Sequence, residues 1–211
     1  MHVDHLTFVA SPQGLQATVA ELSEVLRRKF KDGGFHPRFG TRNNILPLSE
    51  GRYIEVVEVL DHPAAEKAVY GQAVRARQEM GGGWLGWVIS VEDLSGYEQR
   101  LERKAVPGSR QFPDGRRLEW EQIGIKGLMA DPQLPFFVEW TASTGEHPST
   151  GGGAVALDRI EMCGDPDAIS AWLGADHDVP LDGVTVDWVE AEDPGLVALW
   201  FSTPHGSVRI D

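Results

Sequence analysis

The sequence predicts an α+β protein built from tandem β-α-β-β-β units. Segments with strand and helix periodicity recur along the chain in that order. Two apolar strand segments also carry a single glutamate each, Glu55 and Glu139, and each glutamate is followed by a His-Pro pair. A repeated unit that cannot bury its own apolar face packs against its copies. We therefore predict a first module over residues 1–63, a connecting helix over 64–83, a second module over 84–148, and a degenerate, incomplete third unit over 154–211 packed on the same globule.

The first unit has one helix and four strands. Residues 3–10 are rich in β-branched and aromatic side chains, which is typical of a strand. Apolar side chains over residues 15–30 recur at helical spacing after a Ser-Pro start signal, and a glycine pair ends that helix. Further strands are predicted at residues 35–39, 43–48 and 52–60.

The same order follows twice more. Residues 64–79 have helical spacing and end at three consecutive glycines, so they predict the connecting helix. The second unit is predicted as a strand at 85–91, a helix at 94–104, and strands at 116–123, 127–129 and 136–140. The third unit is predicted as a strand at 155–162, a helix at 165–173, and strands at 184–189, 196–202 and 207–210.

Composition limits the classes of function. Of 211 residues, 41% are hydrophobic and 24% are charged, which is typical of a globular protein with a substantial core. A net charge of −13 argues against nucleic acid and against an anionic membrane surface as partners. The single cysteine, Cys163, excludes an intrachain disulfide, and no secretory segment is visible, so we expect a cytoplasmic protein. Glycine-rich nucleotide motifs are absent from the sequence, so no nucleotide cofactor is expected.

Four side chains are candidates for chemistry. Glu55 and Glu139 lie in apolar strands, where an unpaired carboxylate costs several kcal/mol unless a cation or donor offsets it. Each glutamate could instead lie on a solvated strand face. His5 is either a metal ligand or a core imidazole bonded to the backbone. His36 follows a glycine turn, where it either carries protons or contacts substrate, or only packs on the turn.

A set of short motifs resembles the vicinal oxygen chelate superfamily, and within it the glyoxalase-like domain proteins. The motifs are Asp4-His5, His36, Gly40-Thr41-Arg42-Asn43, Tyr53-Ile54-Glu55 and Pro135-Phe136-Phe137, and the resemblance spans about residues 3–148. It implies that the paired modules form a cup-shaped mixed sheet. It also implies a divalent metal (Zn, Ni, Mn, Fe or Co) held by the first and fourth strands of both modules. The implied metal ligands are His5, Glu55 and Glu139, with Trp87 at the fourth corner.

The resemblance also implies roles and two functions. Glu139 and His36 are the implied catalytic residues, and Trp87, Asn44 and Tyr53 the implied substrate-binding residues. The leading function is a metal-dependent lyase, isomerase or dioxygenase acting on a small oxygenated organic molecule. The alternative is a metal-free protein of the same fold that binds or sequesters a small molecule, such as a drug. A regulatory or structural module without such a site, and a homodimer, remain open.

Overall fold

A computed structural model describes residues 1–111, 115–141, 146–176 and 181–211. The strands of the larger sheet are β1 (His2–Val9), β2 (Lys31–His36), β3 (Thr41–Pro47), β4 (Tyr53–Val59), β5 (Gly83–Ser90), β6 (Val106–Gln111), β7 (Arg117–Ile123) and β8 (Phe136–Trp140). The smaller sheet has β9 (Ala156–Cys163), β10 (Thr185–Trp188), β11 (Gly195–Thr203) and β12 (Gly206–Ile210). The helices are α1 (Leu15–Leu26), α2 (Pro63–Lys67), α3 (Val69–Glu79), α4 (Ser95–Leu101) and α5 (Pro166–Leu173). Within the described part of the chain, no helix combines the length and apolar character needed to cross a bilayer.

The larger sheet contains two copies of one topology. Its strand order is β2-β3-β4-β1-β5-β8-β7-β6. β1 pairs in parallel with β4, β5 pairs in parallel with β8, and β1 and β5 join the copies as an antiparallel pair. The outer strands β2 and β6 also approach one another, so the sheet curls into a cup. The predicted α+β class with tandem β-α-β-β-β units is therefore confirmed.

The C-terminal residues form the smaller sheet, in the order β10-β9-β11-β12. The order of its elements, strand, helix and three strands, is the predicted one. Its pairing differs, because β9 pairs in parallel with the strand that follows α5, whereas β1 pairs with the fourth strand of its unit. The two sheets share one hydrophobic core, and the Trp84 indole donates a hydrogen bond to the Ile210 carbonyl at 2.9 Å.

Two local predictions were wrong, and one strand was not predicted. Strand β2 begins at Lys31, so the glycine pair that was predicted to end the helix lies inside a strand. Residues 127–129 are not a strand, because the chain forms a short 3-10 helix at Ile125–Gly127. The remaining strand of the second unit is β6, at the edge of the larger sheet. It was not predicted because Pro107 and Gly108 have low strand propensity. Gly108 is needed there, since a Cβ would lie 2.2 Å from the Trp120 ring.

Candidate functional site

A cavity opens on the concave face of the cup, between its two halves. We call strands β1–β4 the first half and strands β5–β8 the second half. The cavity encloses about 590 Å³ of space free of atoms, its mouth included. Its wall from the first half and α3 consists of His5, His36, Phe39, Asn43, Ile45, Tyr53, Glu55 and Tyr70. Its remaining wall consists of Val88, Arg110, Leu118, Trp120, Gln122, Ile125, Phe136, Val138, Trp140 and Pro148.

Glu55 is the centre of a polar cluster in the first half. Its carboxylate accepts hydrogen bonds from Asn43 Nδ2 at 2.5 Å, Tyr70 Oη at 3.0 Å and Thr7 Oγ1 at 3.3 Å. Burial raises the pKa of Glu55, but the nearby histidines and these donors outweigh it and bring the pKa below its usual value. Glu55 is therefore an ionised carboxylate inside the protein.

His36 faces that carboxylate, with Nδ1 4.0 Å from Glu55 Oε1. Burial lowers the pKa of His36, although the charge of Glu55 acts in the opposite direction. The ring is therefore neutral near neutral pH. Thr41 Oγ1 lies 3.4 Å from the same nitrogen and helps to fix the orientation of the ring.

The second polar feature is the pair Asp4–His5. Asp4 is almost fully buried, and its Oδ1 lies 2.7 Å from His5 Nδ1. Trp140 Nε1 donates to Asp4 Oδ2 at 2.8 Å, and His147 Nε2 lies 3.5 Å away. Burial opposes ionisation of Asp4, but hydrogen bonds from His147 and His5 outweigh it and hold the pKa of Asp4 well below its usual range.

This pKa decides the tautomer of His5. An ionised carboxylate can only accept, so His5 Nδ1 must carry the proton in the hydrogen bond to Asp4. In a neutral imidazole, Nε2 is then the nitrogen with a free lone pair. The His5 ring lines the cavity and stacks on Tyr53, with ring centroids 4.5 Å apart. His5 can therefore present a proton acceptor to a molecule in the cavity.

The second half carries apolar residues at the equivalent positions. β1 and β4 place His5 opposite Tyr53, and β5 and β8 place Val88 opposite Phe136. Val88 thus corresponds to His5, and Val138 corresponds to Glu55. Both valines line the cavity. The two halves share a topology but differ in chemistry.

Three of the predicted site residues do not lie in the cavity. Glu139 Oε2 accepts a hydrogen bond from Leu94 N at 2.8 Å, ahead of helix α4, while its neighbours Val138 and Trp140 face the cavity. Trp87 is fully buried in the core, where its indole donates to the Gln133 carbonyl at 2.8 Å. Asn44 also lies outside, because its neighbours Asn43 and Ile45 are the residues of β3 that line the cavity. Adjacent residues of a strand face opposite sides, and strands buried on both faces give no sequence signal of which side is which.

The predicted set of metal ligands does not fit this cavity. His5 and Glu55 line it, but Glu139 faces away, and the equivalent positions in the second half are valines. The oxygens of Glu55 already accept three hydrogen bonds. Within the described ranges, no group of three or more His, Cys, Asp or Glu side chains is placed to hold a metal ion.

Several residues of the cavity were missed by reasoning from sequence. Tyr70 reaches Glu55 from helix α3, and nothing in the pattern of an amphipathic helix distinguishes it. Asn43 lies in the quoted Gly-Thr-Arg-Asn motif, but the motif does not show that its amide donates to Glu55. Burial lowers the pKa of Arg110, which lines the cavity from strand β6, a strand that was not predicted. Gln122 and Trp120 lie on a predicted strand, but the sequence does not say which of its faces is inward.

Comparison with known proteins agrees with the fold. The family model described as "Glyoxalase-like domain" matches residues 3–176. No curated protein matches this chain. The fold is similar to that of a hypothetical protein from Staphylococcus aureus, at 16% identity over 100% of this chain and 85% of that chain, with a TM-score of 0.60. A methylmalonyl-CoA epimerase from Mycobacterium tuberculosis is similar at 15% identity over 66% of this chain and 86% of that chain, with a TM-score of 0.43.

The family match covers more than half of the described fold, including both halves of the cup, and the quoted motifs lie within it. The chain therefore belongs to the glyoxalase-like domain family of the vicinal oxygen chelate superfamily.

Proposed function

We propose that the cavity binds a small oxygenated organic molecule and that His5 removes a proton from a carbon next to its carbonyl group. This is isomerase or lyase chemistry of the acid–base type. The observation that carries the proposal is the 2.7 Å hydrogen bond that His5, whose ring lines the cavity, donates to the buried carboxylate of Asp4. A fixed tautomer with Nε2 toward the ligand is what a general base needs.

The charges around His5 support this role. Taking up a proton gives the imidazole a positive charge, which Asp4 stabilises directly through the hydrogen bond at Nδ1. The ionised Glu55 adds a second negative charge in the same wall. Tyr53 and Tyr70 keep their protons, since burial and neighbouring carboxylates raise both pKa values well above the usual one. Their hydroxyls are therefore hydrogen-bond donors throughout the neutral range.

A second function of a different class is binding without chemistry. Six aromatic side chains line the cavity, which suits a flat apolar ligand held for sequestration. Its lining residues are Phe39, Tyr53, Tyr70, Trp120, Phe136 and Trp140. Binding without any proton transfer is the outcome that distinguishes this function from the first.

The test uses small carbonyl compounds with exchangeable protons, namely acetophenone, phenylacetone, pyruvate and phenylpyruvate. Each is incubated with the protein in D2O, and loss of the α-proton signal is followed by NMR, together with binding by calorimetry. We expect faster exchange than in buffer for at least one compound that binds. His5→Ala should reduce the protein-dependent rate by about 100-fold or more, within the range for removal of a general base.

The matched control is His205→Ala, which removes an exposed histidine on the turn between β11 and β12. It should leave the exchange rate unchanged. Binding without exchange would favour sequestration, and exchange that survives His5→Ala would contradict the role of His5. If none of the four compounds binds, the proposed ligand class is wrong.

A further inference from the structure

The wall of the second half contains one polar group whose environment points to a ligand atom. Gln122 is 5% exposed and lines the cavity. Its Oε1 accepts a hydrogen bond from Trp120 Nε1 at 3.0 Å. Its Nε2 is buried and has no hydrogen-bond partner among the described residues. A buried amide that keeps an unpaired donor costs about 1–3 kcal/mol, so its retention in this wall needs an explanation.

Trp120 fixes the direction of that donor. The indole N–H can only donate, so the amide oxygen of Gln122 must face it and the amide nitrogen must face away. The Trp120 ring is itself placed by Gly108, whose missing side chain leaves the space that the ring occupies. The orientation of Gln122 is therefore set by its neighbours.

The neighbours of Gln122 across the sheet are apolar. Its partners across the sheet are Val106 on β6 and Val138 on β8. The cation of this wall, Arg110, pairs with Leu118, which is four residues from Gln122 along β7. At about 3.3 Å per residue, that is about 13 Å along the strand. The charge of Arg110 acts on Tyr53 and Glu55, which belong to the facing wall. Burying an anionic group between the two valines would therefore cost more than burying a neutral carbonyl oxygen.

We propose that Gln122 recognises a neutral carbonyl oxygen of the ligand through Nε2, and that it selects ketones, aldehydes or amides over carboxylates at this position. The inference rests on the proposed function, because it assigns one end of the ligand of the same cavity. The aromatic side chains Trp120, Phe136 and Trp140 lie in the same wall and suit a flat, apolar body attached to the carbonyl.

The test compares three probes of similar shape by calorimetry. Acetophenone has a neutral carbonyl, ethylbenzene has no acceptor, and benzoate has an anionic one. We expect the wild-type protein to bind acetophenone at least about 10-fold more tightly than either of the others, which corresponds to about 1.4 kcal/mol.

Gln122→Met keeps the length of the side chain and removes the amide. The variant should bind acetophenone and ethylbenzene with affinities equal to within about 2-fold, and its ethylbenzene affinity should match that of the wild type. Trp120→Phe should produce a smaller loss for acetophenone, because the amide loses the donor that orients it. Equal melting temperatures of wild type and Gln122→Met separate recognition from folding.

A preference for acetophenone that persists in Gln122→Met would overturn the inference, as would a wild type that prefers benzoate. Failure of both acetophenone and ethylbenzene to bind would overturn it too. A different outcome would contradict the proposed function alone. In that case the probes would bind in the predicted order, but α-proton exchange would not depend on His5. If α-proton exchange is lost in His5→Ala but unchanged in Gln122→Met, the inference about Gln122 is overturned and the proposed function is not.

Discussion

The two halves of the cup share a topology and divide the chemistry between them. One register pair shows the difference most clearly: Ile45 lies opposite Glu55 in the first half, and Gln122 lies opposite Val138 in the second. All four side chains line the cavity. In the first half this pair carries a charged acceptor, Glu55 on β4. In the second half it carries a neutral donor, Gln122, and this residue lies on the other strand of the pair, β7. The first half can hold and move protons, while the second half can orient an uncharged group.

The comparison also explains why one half tolerates a buried charge. Glu55 has three donors directed at it, from β1, β3 and α3. Val138 has no carboxylate, and its sheet neighbour Gln122 offers an amide donor. A buried carboxylate is stable only when its hydrogen-bonding capacity is used. The difference between the halves therefore lies in the surrounding donors as much as in the carboxylate itself.

The largest effect is expected when the first half is made to resemble the second. Glu55→Val should lower the free energy of unfolding by about 4 kcal/mol, because Asn43 and Tyr70 keep buried donors without an acceptor. Glu55→Gln retains one acceptor and should cost about half as much. Denaturant unfolding of both variants measures this. Equal stability of Glu55→Val and wild type would contradict the view that the donors are organised around the carboxylate.

Removing the carboxylate behind His5 should have the next largest effect. Asp4→Ala leaves the Trp140 indole and the His5 ring without their buried acceptor, at a cost of about 3 kcal/mol near neutral pH. The pKa of Asp4 is lowered in the folded protein, so its stabilisation is present above the usual carboxyl pKa and is lost as the pH falls below about 4. Melting temperatures across pH should therefore converge for wild type and Asp4→Ala in acid. Curves that stay parallel down to pH 2 would rule out this linkage.

A smaller effect is expected from crowding the polar cluster. A Cβ on Gly33 would lie 1.8 Å from Asn43 Oδ1, so Gly33→Ala must displace the side chain that donates to Glu55. We expect a loss of about 2 kcal/mol. The control is Gly96→Ala in helix α4, where a Cβ meets no atom within 4 Å and helix propensity favours alanine. If both variants are as stable as the wild type, the Asn43 side chain can move away from a Cβ at position 33 without cost, which would contradict this prediction.

The smallest effect concerns Glu139, which the sequence placed in the site. Its carboxylate accepts a hydrogen bond from the Leu94 amide next to α4, so Glu139→Ala should cost only about 1 kcal/mol. Binding of acetophenone should not change, because the side chain lies outside the cavity. Calorimetry and thermal melting of the same sample measure both quantities. If Glu139→Ala loses acetophenone binding while its stability is unchanged, Glu139 takes part in ligand binding after all.

The sequence predicted the order of the elements and part of the cavity wall, but not which face of a buried strand each residue occupies. The order of strands and helices followed from periodicity and turn residues, and His5, His36, Tyr53 and Glu55 all lie in one cavity. The side of a strand on which a residue lies did not follow for β5 and β8, whose buried runs are apolar on both faces. A shift of one residue exchanges the two faces, so Trp87 and Glu139 were assigned to the wrong one.

Contacts between segments that are distant in the chain could not be predicted from the sequence either. Tyr70 reaches Glu55 from a helix, and Trp140 reaches Asp4 across 136 positions of the chain. Neither contact leaves a local pattern, because each depends on how the whole sheet curls. The amide nitrogen of Gln122, which has no hydrogen-bond partner among the described residues, is visible only once its neighbours in space are known.

The central claim is that Asp4 holds His5 with an unprotonated Nε2 toward the cavity. Two-bond ¹H–¹⁵N correlation spectra of protein labelled at histidine report the tautomer of each ring directly, at a pH where His5 is neutral. We predict the Nδ1–H tautomer for His5 in the wild type and a mixture of tautomers in Asp4→Asn. Predominance of the Nε2–H tautomer in the wild type, or a His5 tautomer that does not respond to Asp4→Asn, would contradict the account.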